Sequence, residues 1–242
     1  MTFIPGFKSR VVCGDFSFSA YITDWSEPFT VDMLDVTVPT SPGNGTTPSR
    51  VFIPGQTSST LTMKGFLDPD GTSDLQYDQI NDWTGAEAVT FGPSGLTAGA
   101  ELLLTSGLTA KSETGATTTT PVSFSLDVQN TGLCDRGVSL HDLTAETLDG
   151  SSTGYDGGAS SANGAVAHLH VTAFSGFTSN AVIIEDSANN STWATIGTFA
   201  TATALTQERL VIAGTVRRYV RCSWDLTGTP GTTTFQVGLA RR

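Results

Sequence analysis

Charge is scarce in this chain, and positive charge scarcest of all. Only 14% of residues are charged, with 12 Lys and Arg against 23 Asp and Glu, a net of −11 at pH 7. A protein that holds phosphates needs clustered Lys and Arg, so the acidic part of this chain is no phosphate-binding surface. Cysteine is nearly absent: Cys13, Cys134 and Cys222 are odd in number and far apart. A disulfide framework is therefore not expected, and assembly in a reducing cytoplasm is. No run of 18 apolar residues occurs, so no membrane insertion is expected. The opening MTFIPGFKSR lacks a basic stretch followed by an apolar one, so no secretory signal is expected. The signatures GxSxG, P-loop, CxxC and HExxH are all missing. The expectation is a protein that is not an enzyme, with no cofactor and no metal. A rival reading, two carboxylates meeting in space as a glycosidase pair, has few aromatics or histidines to support it.

What fills the chain is Thr, Ser and Gly between short apolar alternations, a β-rich composition with many turns. Its organising stretch is 34–71, LDVTVPTSPGNGTTPSRVFIPGQTSSTLTMKGFLDPDG. Leu34, Val36 and Val38 alternate with polar residues, and Leu61, Met63 and Gly65 repeat the pattern. Period two marks strands with one buried face. Between them, residues 41–58 are rich in Pro, Gly, Ser and Thr and are read as a long hairpin loop. Val51, Phe52 and Ile53 give that loop an apolar end, beside Pro54. Hairpin loops usually have about two to five residues, so this one is either disordered or built to touch something.

Residues 1–10 form an arm with Phe3, Ile4 and Phe7, which frays unless it docks. Residues 11–23 read as one strand, with Phe16, Phe18, Ala20 and Ile22 on one face, and 24–32 as a loop or short turn around Trp25 and Pro28. Ser73 with Gln76 matches a capping box, and Leu75, Gln79 and Trp83 share a face, which predicts a short helix over 73–83. Strands follow at 87–91, 100–105, 121–129 and 137–148, with 108–120 as a polar loop or edge. In 121–129, Val122, Phe124, Leu126 and Val128 point inward. Residues 149–164, DGSSTGYDGGASSANG, read as a linker or exposed loop. The block 165–242 holds further strands at short spacing, as in a sandwich or jelly roll.

The two parts differ in charge: residues 1–150 hold 18 acidic and 6 basic side chains, residues 151–242 hold 5 and 6. The acidic excess serves solubility, or makes a surface that nucleic acid passes without sticking. Other constellations are weaker. His168 and His170 share one strand face as a metal pair can, but no cysteine is near them in sequence. Asp68, Asp70 and Asp74 around Gly71 resemble a calcium loop but lack the distal Glu, and a Pro-Asp-Gly turn explains them equally. Arg217, Arg218, Tyr219, Arg221 and Trp224 form a basic and aromatic patch; their alternation favours a half-buried strand over a nucleic-acid site.

A strand, LDVTVP, a Pro/Gly-rich hairpin insert, then TLTMKGFLDPDG, a short helix and further strands resembles the tail tube proteins of long-tailed, siphovirus-type bacteriophages. The resemblance covers 11–148. It implies hexameric rings stacked into a hollow tube, with the 41–58 loop touching the neighbouring ring or subunit and the N-terminal arm packed between subunits. The contact residues it points to are Arg50, Val51, Phe52, Ile53 and Pro54 of the loop, and Phe3, Ile4 and Phe7 of the arm. In 165–242, IIEDSANNSTWATIGTF followed by TVRRYVRCSWDL is similar to the small β-sandwich appended to phage tail proteins and to galactose-binding-like modules. The matching positions are Asp186, Ser187, Asn190, Thr192, Trp193, Arg218, Tyr219 and Arg221, which in that family largely determine the fold.

The resulting expectation is an all-β protein. Residues 1–10 are an arm and 11–148 a tail-tube-like sandwich or barrel with one short helix and a long hairpin loop. Residues 149–164 are a linker and 165–242 a jelly-roll-like sandwich. The implied function is a structural virion protein of the phage tail, made and assembled in the host cytoplasm. Its partners are itself, other phage tail proteins and viral DNA that passes through without specific binding. The alternative is a carbohydrate-binding tail or decoration protein that meets host-surface glycans through its C-terminal sandwich.

Overall fold

The structure, a computed structural model, describes residues 8–26, 28–37, 50–67, 85–117, 119–132 and 134–242. Among these residues there is no α-helix: the chain is all-β, with antiparallel pairing throughout. The helix expected over 73–83 lies outside the described residues. None of the three cysteines is in a disulfide.

β1 (Arg10–Cys13) and β2 (Phe16–Ser17) form a tight hairpin, Val12 opposite Ser17 and Cys13 opposite Phe16. The single strand expected over 11–23 is thereby corrected. Gly14 takes a φ of +58°, which glycine adopts without a Cβ clash, and the chain reverses there before a 3-10 turn at Phe18–Ala20. The loop expected over 24–32 is corrected as well. β3 (Ile22–Ser26) and β4 (Phe29–Asp35) both pair along β5 (Phe52–Phe66). Trp25 fixes β3 in place by packing on Phe91, ring centroids 3.7 Å apart. That contact joins residues far apart in sequence, and no local pattern announces it.

β6 (Glu87–Gly92), β7 (Glu101–Thr117) and β8 (Thr120–Asn130) follow. An outer sheet consists of β3, β5, β8 and the far part of β7. Its inner face presents Leu61, Met63, Phe124, Leu126 and Val128 to Val11, Cys13, Val89 and Phe91, which makes the first core. Val122 is exposed instead of inward. Residues 108–117, expected as a polar loop or edge, continue β7 and pair with β8 as its outermost strand. β1 and β6 are buried on both faces. Val12, with Leu102, Leu104 and Ala240, belongs to a second core behind them.

The C-terminal part is one long ribbon folded on itself. β12 (Ala165–Ser187) and β15 (Tyr219–Arg241) pair from Ala165↔Arg241 to Ser187↔Tyr219. Both strands bend midway, where the register shifts repeatedly between Val171 and Ser179. A Cβ on Gly176 would lie 2.6 Å from the Gly231 Cα, so the two strands cross there at a distance only glycine permits. After the bend the two halves of the ribbon face each other across a third core, which includes Leu169, Val171, Ile184, Cys222, Trp224, Phe235 and Val237. β13 (Ala194–Thr198) and β14 (Thr206–Ile212) pair along opposite halves of β12.

β9 (Asp135–Glu146) pairs with both β7 and β15, so hydrogen-bonded sheet runs from residues before 148 into those after 165. The Gly/Ser-rich stretch 149–164 lies along β15. Gly150–Ser151 (β10) and Tyr155–Asp156 (β11) pair with it, and the Trp224 indole donates to the Leu148 carbonyl at 3.0 Å.

Candidate assembly surface

Beyond Ser59, towards its N-terminal end, β5 leaves β8 and β3 and pairs with β4 alone: Phe29↔Ser59, Thr30↔Ser58, Met33↔Pro54, Leu34↔Ile53 and Asp35↔Phe52. Residues 29–35 and 52–59 therefore form a two-stranded ribbon that runs out of the outer sheet. Its far end is tied by Val36 N–H to the Val51 carbonyl at 2.9 Å and by Val51 N–H to the Thr37 hydroxyl at 2.9 Å. Asp35 Oδ1 accepts the Thr37 hydroxyl, at 2.5 Å, and its amide, at 3.0 Å. These two bonds, the hydroxyl first, hold the Asp35 carboxyl below the usual carboxylate range.

Residues opposite one another in an antiparallel pair share a face. Leu34 and Ile53 lie on one face of the ribbon; Met33, Pro54 and Phe52 lie on the other. All are open to solvent: Met33 is 57% exposed, Leu34 53%, Ile53 46% and Phe52 43%, with Val31 and Val36 beside them. A two-stranded ribbon cannot bury apolar groups on both of its own faces, and alone it is marginally stable in water. Contiguous apolar surface of this kind marks a contact site. Among the described residues β4 pairs only with β5, so its outer edge is open. At the other side of the same sheet, β7 beyond Gly107 pairs, among the described residues, only with β8. Within the described residues one sheet thus carries a free edge at each side.

Of the residues expected at a subunit contact, Arg50, Phe52, Ile53 and Pro54 are exposed on this ribbon and Val51 is half-buried at its far end. The expected loop 41–58 is corrected in part: 52–58 are strand, because β4 pairs with them. Phe3, Ile4 and Phe7 lie outside the described residues, as do Asp68, Asp70 and Asp74 of the calcium reading. Val31 and Met33 belong to the surface and were missed. Their alternation with Thr30 and Asp32 was the available signal, hidden by reading 24–32 as a loop.

The C-terminal arginines are all engaged. Arg217 donates its backbone N–H and Nε to the buried Asp186 carboxylate, each at 2.7 Å. Arg218 pairs with Asp156 through two bonds, and its hydrogen bonds, with that of Gly158, hold the Asp156 carboxyl at about 2. Arg221 binds Glu185 at 2.8 Å and lies over the Trp193 ring. Arg209 and Arg242 share Asp135; burial opposes ionisation there, but the bonds from Arg242 and Arg209 outweigh it and lower its pKa. Arg241 donates to the carbonyls of Ala159, Arg217 and Arg218. Trp224 of the basic and aromatic patch is in the third core. Every arginine of this half thus has a partner within the chain. Asp186 and Arg221 of the galactose-binding-like pattern, together with Trp193, hold β12, β13 and β15 together.

His168 and His170 do share a face of β12, but both are fully buried and their ring nitrogens meet Thr90, Arg209 and Gly14. Two carboxyls of the described residues, Asp15 and Glu87, are raised, and the first acts on the second. Burial pushes Asp15 up, and burial with the Asp15 charge pushes Glu87 up; both are half-buried.

No protein-family model and no curated protein matches the chain in sequence. Similar solved structures include a chain of the virion of a native gene transfer agent particle, at 14% identity and a TM-score of 0.43, covering 55% of this chain and 97% of that one. A chain of the sheath–tube complex of an extracellular contractile injection system, in the extended state, has 14% identity and a TM-score of 0.40, covering 56% and 91%. The SPP1 Dit protein, described as a paradigm of the hub adsorption apparatus in Gram-positive infecting phages, has 8% identity and a TM-score of 0.38, covering 96% and 99%. At these scores the likeness establishes no function.

Proposed function

We propose that this chain is a structural subunit of a bacteriophage tail, polymerising as stacked hexameric rings that form an acidic-lined tube for DNA ejection. One observation carries the reading: a projecting ribbon with apolar side chains exposed on both faces, in a sheet with an open edge at each side. Edge-to-edge pairing of β4 in one copy with the far part of β7 in the next is heterologous. Repeated around an axis, such a contact closes a ring and removes both free edges. The apolar ribbon then meets the neighbouring subunit or ring, with the arm carrying Phe3, Ile4 and Phe7 packed between subunits. Residues 11–148 are the tube-forming part, 165–242 the outward sandwich, and 149–164 the connector clamped on β15. The charge distribution supports the same reading. Residues 1–150 hold a threefold excess of acids, and the arginines beyond them are spent on internal pairs. Duplex DNA passing such a wall is repelled rather than bound.

The test is negative-stain electron microscopy of purified protein over a concentration series, with light scattering beside it. Rings or striated tubes are the expected outcome; a monomer persisting at high concentration sinks the proposal. A second reading, carbohydrate binding, is favoured by an open cleft of about 440 Å³ where Tyr155 and Val138 face Glu101 and Arg136. Binding on a glycan array that is lost in Tyr155→Ala supports it.

A further inference from the structure

His168 and His170 look from β12 into the layer behind β1 and β6, opposite the face that carries Leu169 and Val171. A neutral imidazole has one N–H donor and one lone pair, and the surroundings dictate which nitrogen has which. His170 Nδ1 lies 2.6 Å from the Gly14 carbonyl, which can only accept, so Nδ1 carries the proton. His170 Nε2 then accepts from the Thr90 hydroxyl at 2.7 Å. Thr90 has spent its single proton, so its 3.1 Å contact with His168 Nδ1 needs the proton on His168. The remaining lone pair, on His168 Nε2, faces Arg209 Nη1 at 2.8 Å, and a guanidinium only donates. The bonds run in one direction: Arg209 to His168, His168 to Thr90, Thr90 to His170, His170 to Gly14. Arg209 is itself held by Asp135 at 2.8 Å, which also takes two bonds from Arg242, at 3.0 and 2.9 Å.

We propose that this relay is an acid-sensitive latch between the β1–β6 layer and the β12–β15 layer, closed only while both histidines are neutral. An added proton on His168 Nε2 sets N–H against the N–H of Arg209. An added proton on His170 Nε2 turns the Thr90 hydroxyl away and leaves a charge between two cores. The charged or titratable groups around the rings are few. Arg209 comes from β14, with Asp135 of β9 and Arg242 behind it; Cys13 comes from the end of β1, Asp15 from the turn after it and Glu87 from β6. Asp135 is already shared by two arginines. Asp15 and Glu87 are pushed up, so they lose their charge in acid sooner than ordinary carboxylates.

The sign follows from burial. Burial lowers His170 to about 4 from its ordinary 6.5 and lowers His168 well below its ordinary value, with His170 and Arg209 adding to the effect on His168. The unfolded chain takes up protons as pH drops below 6.5, while the folded chain resists until about 4. The stability from the neutral histidines is therefore complete above pH 6.5 and is lost progressively between 6.5 and about 4.

The deciding experiment is histidine side-chain nitrogen NMR on the full chain, with amide hydrogen exchange across the same pH range. The expected result is two rings protonated at Nδ1, neither titrating between pH 7 and 5. Amides of β6 and the first half of β12 should lose protection as pH falls from 6.5 to 4. A midpoint near 6.5 for either ring, or a proton on Nε2, overturns the proposal. Thr90→Val keeps the shape and removes the central hydroxyl. It should lower the melting temperature at pH 7 by more than at pH 4, where His170 is half protonated and the relay has begun to open. An equal drop at both values overturns the latch, and if the variant does not fold, the NMR result on the native chain decides.

Discussion

β12 with β15, and β4 with the outer half of β5, are both antiparallel ribbons that outrun the sheet around them. The first bends on glycine and closes over its own apolar face, which puts Ile184, Val220 and Phe235 in one core. Its arginines each find an acid or a carbonyl. The second does not bend back, and Met33, Leu34, Phe52 and Ile53 stay in solvent. The same local geometry serves stability in one place and, in the proposed assembly, contact in the other. What separates them is whether the ribbon's apolar face finds a partner inside the chain.

That contrast predicts opposite responses to substitution. Phe235 is fully buried, stacked on His141 at 4.2 Å and edge-on to Trp224 at 5.5 Å. Phe235→Ala should cost about 3–5 kcal/mol in urea unfolding; a cost below about 1 kcal/mol shows that this core is loose. Asp186→Asn should be milder, because the amide oxygen still accepts from the Arg217 backbone while the charge pairing is lost. A fall in melting temperature of roughly 5 °C is expected by calorimetry. Ile53→Lys should be smallest in stability, within about 0.5 kcal/mol, because the side chain is solvent-facing. The same change should abolish assembly by light scattering. If Ile53→Lys unfolds the monomer or leaves assembly intact, the two ribbons do not differ in the way described.

Much of the architecture was legible as alternation. Residues 121–129 were readable as a strand because one buried face leaves period two in the sequence, whereas 87–91, buried on both faces, showed only as a short apolar run before a turn. The C-terminal block was readable as a sandwich for the same reason. The errors have one physical origin. Residues 11–23 alternate straight through the β1–β2 turn, since Gly14 changes the path of the chain without disturbing the hydrophobic pattern. Residues 24–32 looked like a loop because Trp25 and Val31 owe their strand conformation to pairing with β5. At the assembly surface, Phe52 and Ile53 stood out as apolar residues in a polar insert, while Val31 and Met33 did not.

The fate of the charges divides in the same way. An acidic first part with few cations follows from composition alone, since electrostatic repulsion needs no particular fold. The use of every C-terminal arginine does not. Arg217 and Asp186 are 31 positions apart, Arg209 and Asp135 are 74 apart, and His170 reaches Gly14 across 156. Composition and period two are properties of neighbours along the chain, so the all-β class, the acidity and the absence of a basic patch in the first part were readable from the residues. Which faces are covered, which histidines are kept neutral and which ribbon is left open depend on strands that meet only when the chain is folded.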